Sequence, residues 1–195
     1  MPLKTTKQKK YVLVQQGKMR GKKILLPPAV HGHRHFTSAL IKEALFQICE
    51  AYKPATFFDL CAGSAQIGIE ALSRGFFPVH CVERDESRFS FLAEQLKDTD
   101  IILHKKDFRR LASAITDRSV LFLDVPYTFW QPDGSCELIE IFLTKLLQRS
   151  KISILLAIQS PLPLSFRNQS LQNLLEQGVS REYRGHTLFT CELTL

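Results

Sequence analysis

No aspartate or glutamate occurs before Glu43. Ten basic residues do: Lys4, Lys7, Lys9, Lys10, Lys18, Arg20, Lys22, Lys23, Arg34 and Lys42. The formal net charge is +7, yet beyond that stretch sixteen basic residues face nineteen acids, so the positive excess belongs to an N-terminal arm. An acid-free basic arm points to a polyanionic partner, because neutralising phosphates releases counterions and gives affinity without sequence reading. Nucleic acid is favoured over a membrane surface, since residues 1–23 lack an amphipathic face rich in aromatics or leucine. Lys18, Arg20, Lys22, Lys23 and Arg34 are the expected nucleic-acid contacts. For Met1 to Lys10 the plain alternative is a solvated tail or an expression remnant.

Cysteine is sparse. Cys49, Cys61, Cys81, Cys136 and Cys191 are odd in number and never spaced as CxxC, which argues against a disulfide framework and a zinc cage and for a reducing compartment. No apolar run reaches the length of a membrane span, and the first residues lack the apolar core of a signal peptide, so a cytoplasmic location is expected. His31, His33 and His35 alternate like metal ligands, but Gly32 and the nearby Pro27 and Pro28 favour a polar loop, and no metal is expected. Internal repeats are absent, as are low-complexity tracts beyond the lysine-rich start.

What is present is a rhythm. The 195 residues, 45% of them apolar, suit one globular domain with a short appendage. "YVLV" and "KKILLPP" bracket "QQGKMRG" as a small hairpin or extended arm. From Thr37 a helix is expected, capped by Thr37 or Ser38, with Leu40, Ala44, Leu45, Ile48 and Cys49 on one face. Then follow strand "TFFDL", helix "QIGIEALSRG", strand "VHCVE", helix "ESRFSFLAEQLK", strand "IILH", a short helix near "FRRLASAI", strand "SVLFLD", helix "CELIEIFLTKLLQR" and strand "ISILLAI". The strands are short and almost wholly apolar, as when helices cover both faces of a parallel sheet. A last helix, "LQNLLEQG", and a closing hairpin, "VSREYRG" with "HTLFTCELTL", are expected at the sheet edge. The fold class is therefore α/β, a Rossmann-like, doubly wound, mostly parallel sheet with a C-terminal antiparallel hairpin. The boundaries expected are residues 1–36 for the basic arm and 37–195 for the body.

In such folds a ligand sits beyond the carboxyl ends of the strands. Three acids stand there: Asp59, Glu83 and Asp107. The turn after Asp59 contains Ala62, Gly63 and Ser64, small residues that let backbone approach a ligand at a helix start. Glu83 can accept the hydroxyls of a ribose, and Asp107 an adenine amino group; Arg84 and Phe108, the next residues, complete the expected cofactor set. A dinucleotide would call for a GxGxxG turn around a pyrophosphate, but Ala65 fills the third slot and Asp59 would oppose the phosphate. A cationic, amino-bearing cofactor fits better, and S-adenosyl-L-methionine is both. At the fourth strand end, Asp124 and the carbonyl of Val125 can hold an exocyclic amino group so that its lone pair faces a sulfonium methyl. Pro126 fixes the turn and Tyr127 offers a ring for a base to stack on, which completes the catalytic set Asp124, Val125, Pro126 and Tyr127. An Asp-Pro turn beside core aromatics is the bland alternative.

From Gly17 onward the chain resembles the bacterial family that methylates a guanine exocyclic amino group in 16S rRNA. "GKMRGKKI" resembles its Gly-x-x-Arg-Gly-x-x-Leu arm, "IKEALF" its linking helix, "DLCAGSAQIGIEALSRG" its first cofactor motif, "VERD" its ribose-binding acid and "YRGHTLF" its closing hairpin. The resemblance implies a class I methyltransferase that uses S-adenosyl-L-methionine on 16S rRNA or the small ribosomal subunit particle, as a monomer, without metal or membrane. "DVPY" stands where the family has DPPY: Val125 keeps the carbonyl but loses the ring that pins φ, so a looser loop is expected. Ala65 replaces a glycine and is expected to set a methyl beside the cofactor, while Ala39 and Leu40 lack the family's charged side chains. Two other readings stay open: an RNA-binding relative without catalysis, and an adenine-specific DNA methyltransferase.

Overall fold

The computed structural model describes residues 11–27, 37–116, 118–149 and 152–194. The chain opens with a hairpin in which β1 (Tyr11–Leu13) pairs antiparallel with β2 (Lys23–Leu25). Helix α1 (Ala39–Cys49) leads into the alternation β3 (Thr56–Asp59), α2 (Gln66–Ser73), β4 (Val79–Glu83), α3 (Glu86–Leu96), β5 (Ile101–Lys105), β6 (Ser119–Leu123), α4 (Glu137–Leu147), β7 (Ser153–Ser160), α5 (Gln169–Gln177), β8 (Val179–Glu182) and β9 (Thr187–Thr194). The sheet order is β5-β4-β3-β6-β7-β9-β8. Only β9, inserted between β7 and β8, runs against its neighbours. This is the doubly wound sheet that the apolar strands and their spacing predict.

Burial on both faces explains why those strands carry no polar alternation. Phe58, Val82, Leu121, Leu123 and Leu156 on one face pack beneath α4 and α5, whereas Phe57, Val79, Cys81, Val120 and Phe122 face α1, α2 and α3. Phe46, Phe57 and Phe76 meet at centroid distances of 5.3 to 6.2 Å on the second face. The chain winds outward one way from β3 through β4 to β5, then returns to β6 on the other side. The resulting switch point, between β3 and β6, opens a crevice at the carboxyl ends of both.

Two local expectations are corrected. The "FRRLASAI" segment forms two 3-10 turns, Phe108–Arg110 and Ala112–Ala114, instead of an α-helix. Its buried residues come as Phe108 with Leu111 and Ala112 with Ile115, a spacing of three that fits the three-residue turn of a 3-10 helix. The buried face of α1 is Ile41, Lys42, Leu45, Phe46 and Cys49, and Leu40 is exposed. The larger Phe46 and Ile41 claim the core, and Lys42 turns inward to meet a carboxylate. Ser38 is the cap, its hydroxyl accepting from the Ile41 amide.

That carboxylate is Glu70 on α2, and it fastens the hairpin to the body. It accepts the backbone amides of Gln15 and Gln16 at 2.9 Å each, pairs with Arg74 at 2.9 Å, and takes the Lys42 ammonium at 3.5 Å. Burial lowers the Lys42 pKa, with Glu70 opposing that fall. One turn on, Ser73 accepts the Lys18 and Met19 amides on its carbonyl and hydroxyl respectively. Gly17, at φ +84°, lies against that carbonyl where any Cβ would overlap it.

Candidate cofactor and acceptor site

The twelve residues that the sequence assigns to catalysis and cofactor binding all line one crevice. Asp59, Ala62, Gly63, Ser64, Glu83, Arg84, Asp107 and Phe108 form one part, and Asp124, Val125, Pro126 and Tyr127 the other. Lys18, Arg20, Lys22 and Lys23 lie apart from it, exposed on the hairpin, where the Lys23 ammonium sits 4.6 Å from the Tyr11 ring centroid. Arg34, the three histidines of "HGHRH" and the boundary drawn at residue 36 fall outside the described residues.

Each acid is held by a different partner. Asp59 is buried at the end of β3 and accepts the Gly68 amide at 3.0 Å. Its carboxyl pKa is pushed up to about 7, chiefly by burial; the Gly68 amide opposes the rise, and the nearby Asp124 and Glu83 charges add to it. Gly68 is itself required there, because a Cβ would overlap the Cys81 sulfur of β4. Glu83 accepts the Gly63 amide at 3.1 Å and the Asp85 amide at 2.8 Å, one on each oxygen, and so ties the turn after β3 to the end of β4. Asp107 is engaged by Arg109, whose side-chain nitrogens donate at 2.9 and 2.6 Å and hold the carboxyl near a pKa of about 2. A base amino group would share Asp107 with that guanidinium.

The turn after β3 departs from expectation at one point. Ala65 adopts φ 57°, ψ 20°, the left-handed conformation, and is fully buried in the apolar core beneath α2. Its methyl does not line the crevice, so the cost of the missing glycine falls on backbone conformation rather than on space for a ligand.

At the end of β6, Asp124 is half-buried and its pKa is pushed up to about 7 by desolvation, with the Thr37 hydroxyl pulling it down. Thr37 donates to Oδ2 at 3.2 Å. The Val125 carbonyl accepts the Trp130 indole N–H at 3.0 Å. Residues 127–129 form a 3-10 turn closed by Phe129 and Trp130 amides on the Pro126 and Tyr127 carbonyls. The Tyr127 hydroxyl meets His186 Nδ1 of the β8–β9 turn at 2.6 Å. Gln66, the first residue of α2, lines the crevice and keeps its buried Oε1 without a hydrogen bond among the described residues. Sequence reasoning missed Thr37, Gln66, Trp130 and His186 as site residues. Only Gln66 carried a local signal, a polar residue at the buried start of a helix that follows a small-residue turn.

Among the described residues, Asp59, Glu83 and Asp124 have backbone amides and one hydroxyl as hydrogen-bond partners, and no lysine or arginine within ion-pair range. Chemically, Asp59, Glu83 and Asp124 offer acceptors in a partly desolvated cleft, and the basic residues that also line it, Arg84, Arg88 and Lys106, make no ion pair with them among the described residues.

A family model described as "Conserved hypothetical protein 95" matches residues 12–160. The chain is 35% identical over 102 residues to "Putative rRNA methyltransferase YlbH" of Bacillus subtilis; the match covers 47% of this chain and 54% of that protein, about half the relative's length. Among solved structures, "Putative methyltransferase yhhF from Escherichia coli" has a TM-score of 0.72 at 18% identity, over 95% of this chain and 99% of that one. Pyrococcus horikoshii TYW2, solved with MeSAdo, has a TM-score of 0.53 at 16% identity, over 88% of this chain and 67% of that one. These likenesses show a shared class I methyltransferase fold.

Proposed function

The chain belongs to the family described as Conserved hypothetical protein 95, and from that premise we propose an S-adenosylmethionine-dependent methyltransferase acting on rRNA, at the exocyclic amino group of a guanine in the small-subunit RNA. The observation that carries this reading is that three strand-end acids around the switch-point crevice, Asp59, Glu83 and Asp124, have no cation paired to them among the described residues. Such a cleft suits a ligand that brings its own positive charge and amino and hydroxyl donors. The residues present fit: Glu83 offers its remaining lone pairs to ribose hydroxyls, while Asp59 and the unsatisfied Gln66 Oε1 stand ready for amino hydrogens. When bound, the cofactor supplies a methyl group on a sulfonium.

The chain's own part is to present the acceptor. Asp124 Oδ1 has no partner among the described residues, and the Val125 carbonyl has a second lone pair. Together they take the two hydrogens of an amino group and turn its nitrogen lone pair into the crevice. Asp124 then receives the proton that the nitrogen sheds as it is alkylated, a role suited to a carboxyl with a pKa of about 7. Lys18, Arg20, Lys22 and Lys23, exposed on the docked hairpin, support a grip on RNA phosphates, and the partner in this reading is 16S rRNA or a small-subunit particle.

The test is radiolabelled methyl transfer to undermethylated small subunits. Wild type should incorporate label at a guanine amino group, and Asp124→Ala should lower turnover by about a thousandfold while calorimetry finds cofactor binding close to normal. Tight RNA binding with no incorporation by the wild type would replace this reading with a binding protein.

A further inference from the structure

We propose that Thr37 and Trp130 are positioning residues that aim the two acceptors, Asp124 and the Val125 carbonyl, at the incoming amino group. This rests on the function proposed above. Each acceptor is held by one donor from outside β6. Thr37 precedes α1 and lies 87 residues from Asp124 in sequence, yet its hydroxyl bonds Oδ2 and leaves Oδ1 free. Trp130 reaches back over the 3-10 turn to the Val125 carbonyl, occupying one lone pair and leaving the other. Two acceptors each fixed by one donor and each left with one open site form the geometry that a planar –NH2 group requires.

The Trp130 contact has a second meaning. Val125 lacks the ring that would fix its φ, and a loop of this sequence is expected to be loose. Val125 and Trp130 are both buried, and the indole hydrogen bond, with the Phe129 and Trp130 amides closing the turn, pins the carbonyl from the other side. An indole N–H in such a position needs an acceptor in any case. Its choice of this carbonyl supplies by side chain the rigidity that the backbone gives up.

For Asp124 the Thr37 hydroxyl is the sole neutral donor among the described residues. The titratable groups that face it are Asp59 and Cys61 from the β3 end and Tyr127 from its own loop, and none of them is a cation. Removing the hydroxyl therefore leaves only influences that favour the protonated carboxyl.

Thr37→Val, Thr37→Ser and Trp130→Phe separate positioning from simple packing. Thr37→Val should cut kcat about tenfold with the cofactor Kd unchanged, and move the acidic limb of the pH–rate profile to higher pH; Thr37→Ser should restore both. Trp130→Phe, which keeps one aromatic ring and loses the pyrrole ring with its N–H, should cut kcat by a similar factor with the cofactor Kd unchanged. Wild-type rates and an unshifted profile in Thr37→Val and Trp130→Phe overturn the proposal. A carboxyl-carbon NMR titration of Asp124 in the substrate-free protein tests the Thr37 contact independently of turnover. An upward shift in Thr37→Val that Thr37→Ser reverses supports it, and an unchanged titration overturns it, even if the wild type transfers no methyl and the functional reading itself fails.

Discussion

Glu70 and Asp59 are both buried carboxylates linked to the same short helix, and the fold treats them in opposite ways. Glu70 faces two cations and two backbone amides, so its charge is met on every side. Asp59 has one amide and two neighbouring acids. The first arrangement is finished without a ligand, and serves to bolt the hairpin onto the body. The second is incomplete as it stands, and its cost becomes intelligible if a cation completes it. A buried charge fully paired within the chain is architecture, whereas one left unpaired at a switch point marks a binding site.

The largest effect expected from this contrast is at Glu70. Glu70→Ala strands the buried Lys42, leaves Arg74 with Glu43 alone and frees the Gln15 and Gln16 amides, so urea denaturation should show a loss of about 3 kcal/mol. A loss below about 1 kcal/mol would break the comparison.

Asp59→Asn should do the reverse. A carboxyl whose pKa rises to about 7 on folding keeps a proton that the unfolded chain has already released. Stability from this group is thus present below about pH 4 and lost as pH climbs through about 7. The asparagine still accepts from Gly68, so at pH 8 the variant should be more stable than wild type by on the order of 2 kcal/mol, and no more stable at pH 4. Melting curves at the two pH values decide it; a gain of equal size at both would mean that charge is not the cause.

The smallest effect sharpens the ligand side. A cation binds the ionised carboxylates best, so S-adenosylmethionine affinity, measured by calorimetry, should rise by up to about tenfold between pH 5.5 and 7.5. In Asp59→Asn that dependence should weaken, with Asp124 supplying what remains. An affinity that falls with pH would count against a cationic ligand in this crevice.

The alternation of strands and helices was legible because fully buried parallel strands leave uninterrupted apolar runs, and so were Asp59, Glu83, Asp107 and Asp124, which stand where those runs stop. The supports of those residues were not. Thr37 meets Asp124 across 87 positions and His186 meets Tyr127 across 59, and no local periodicity reports such contacts. Glu70 reads in sequence as an ordinary helical acid paired with Arg74 one turn on, and its other partners come from two separate segments, the hairpin and α1. The face of α1 was misjudged for the same reason: an inward lysine makes sense only once its carboxylate is known. Ala65 looked like an obstacle in the crevice because the sequence gives the residue and not the left-handed backbone that turns its methyl into the core.

Helix α2 connects the turn at the crevice to the hairpin clamp, and it is only eight residues long. At 1.5 Å per residue that is a rod of ~12 Å. Since Glu70 and Ser73 bolt the hairpin to this rod, Lys18 and Arg20 stand at a set offset from the crevice. On the function proposed above, that fixed offset makes the molecule a caliper, set to the distance by which a nucleotide projects from its phosphates.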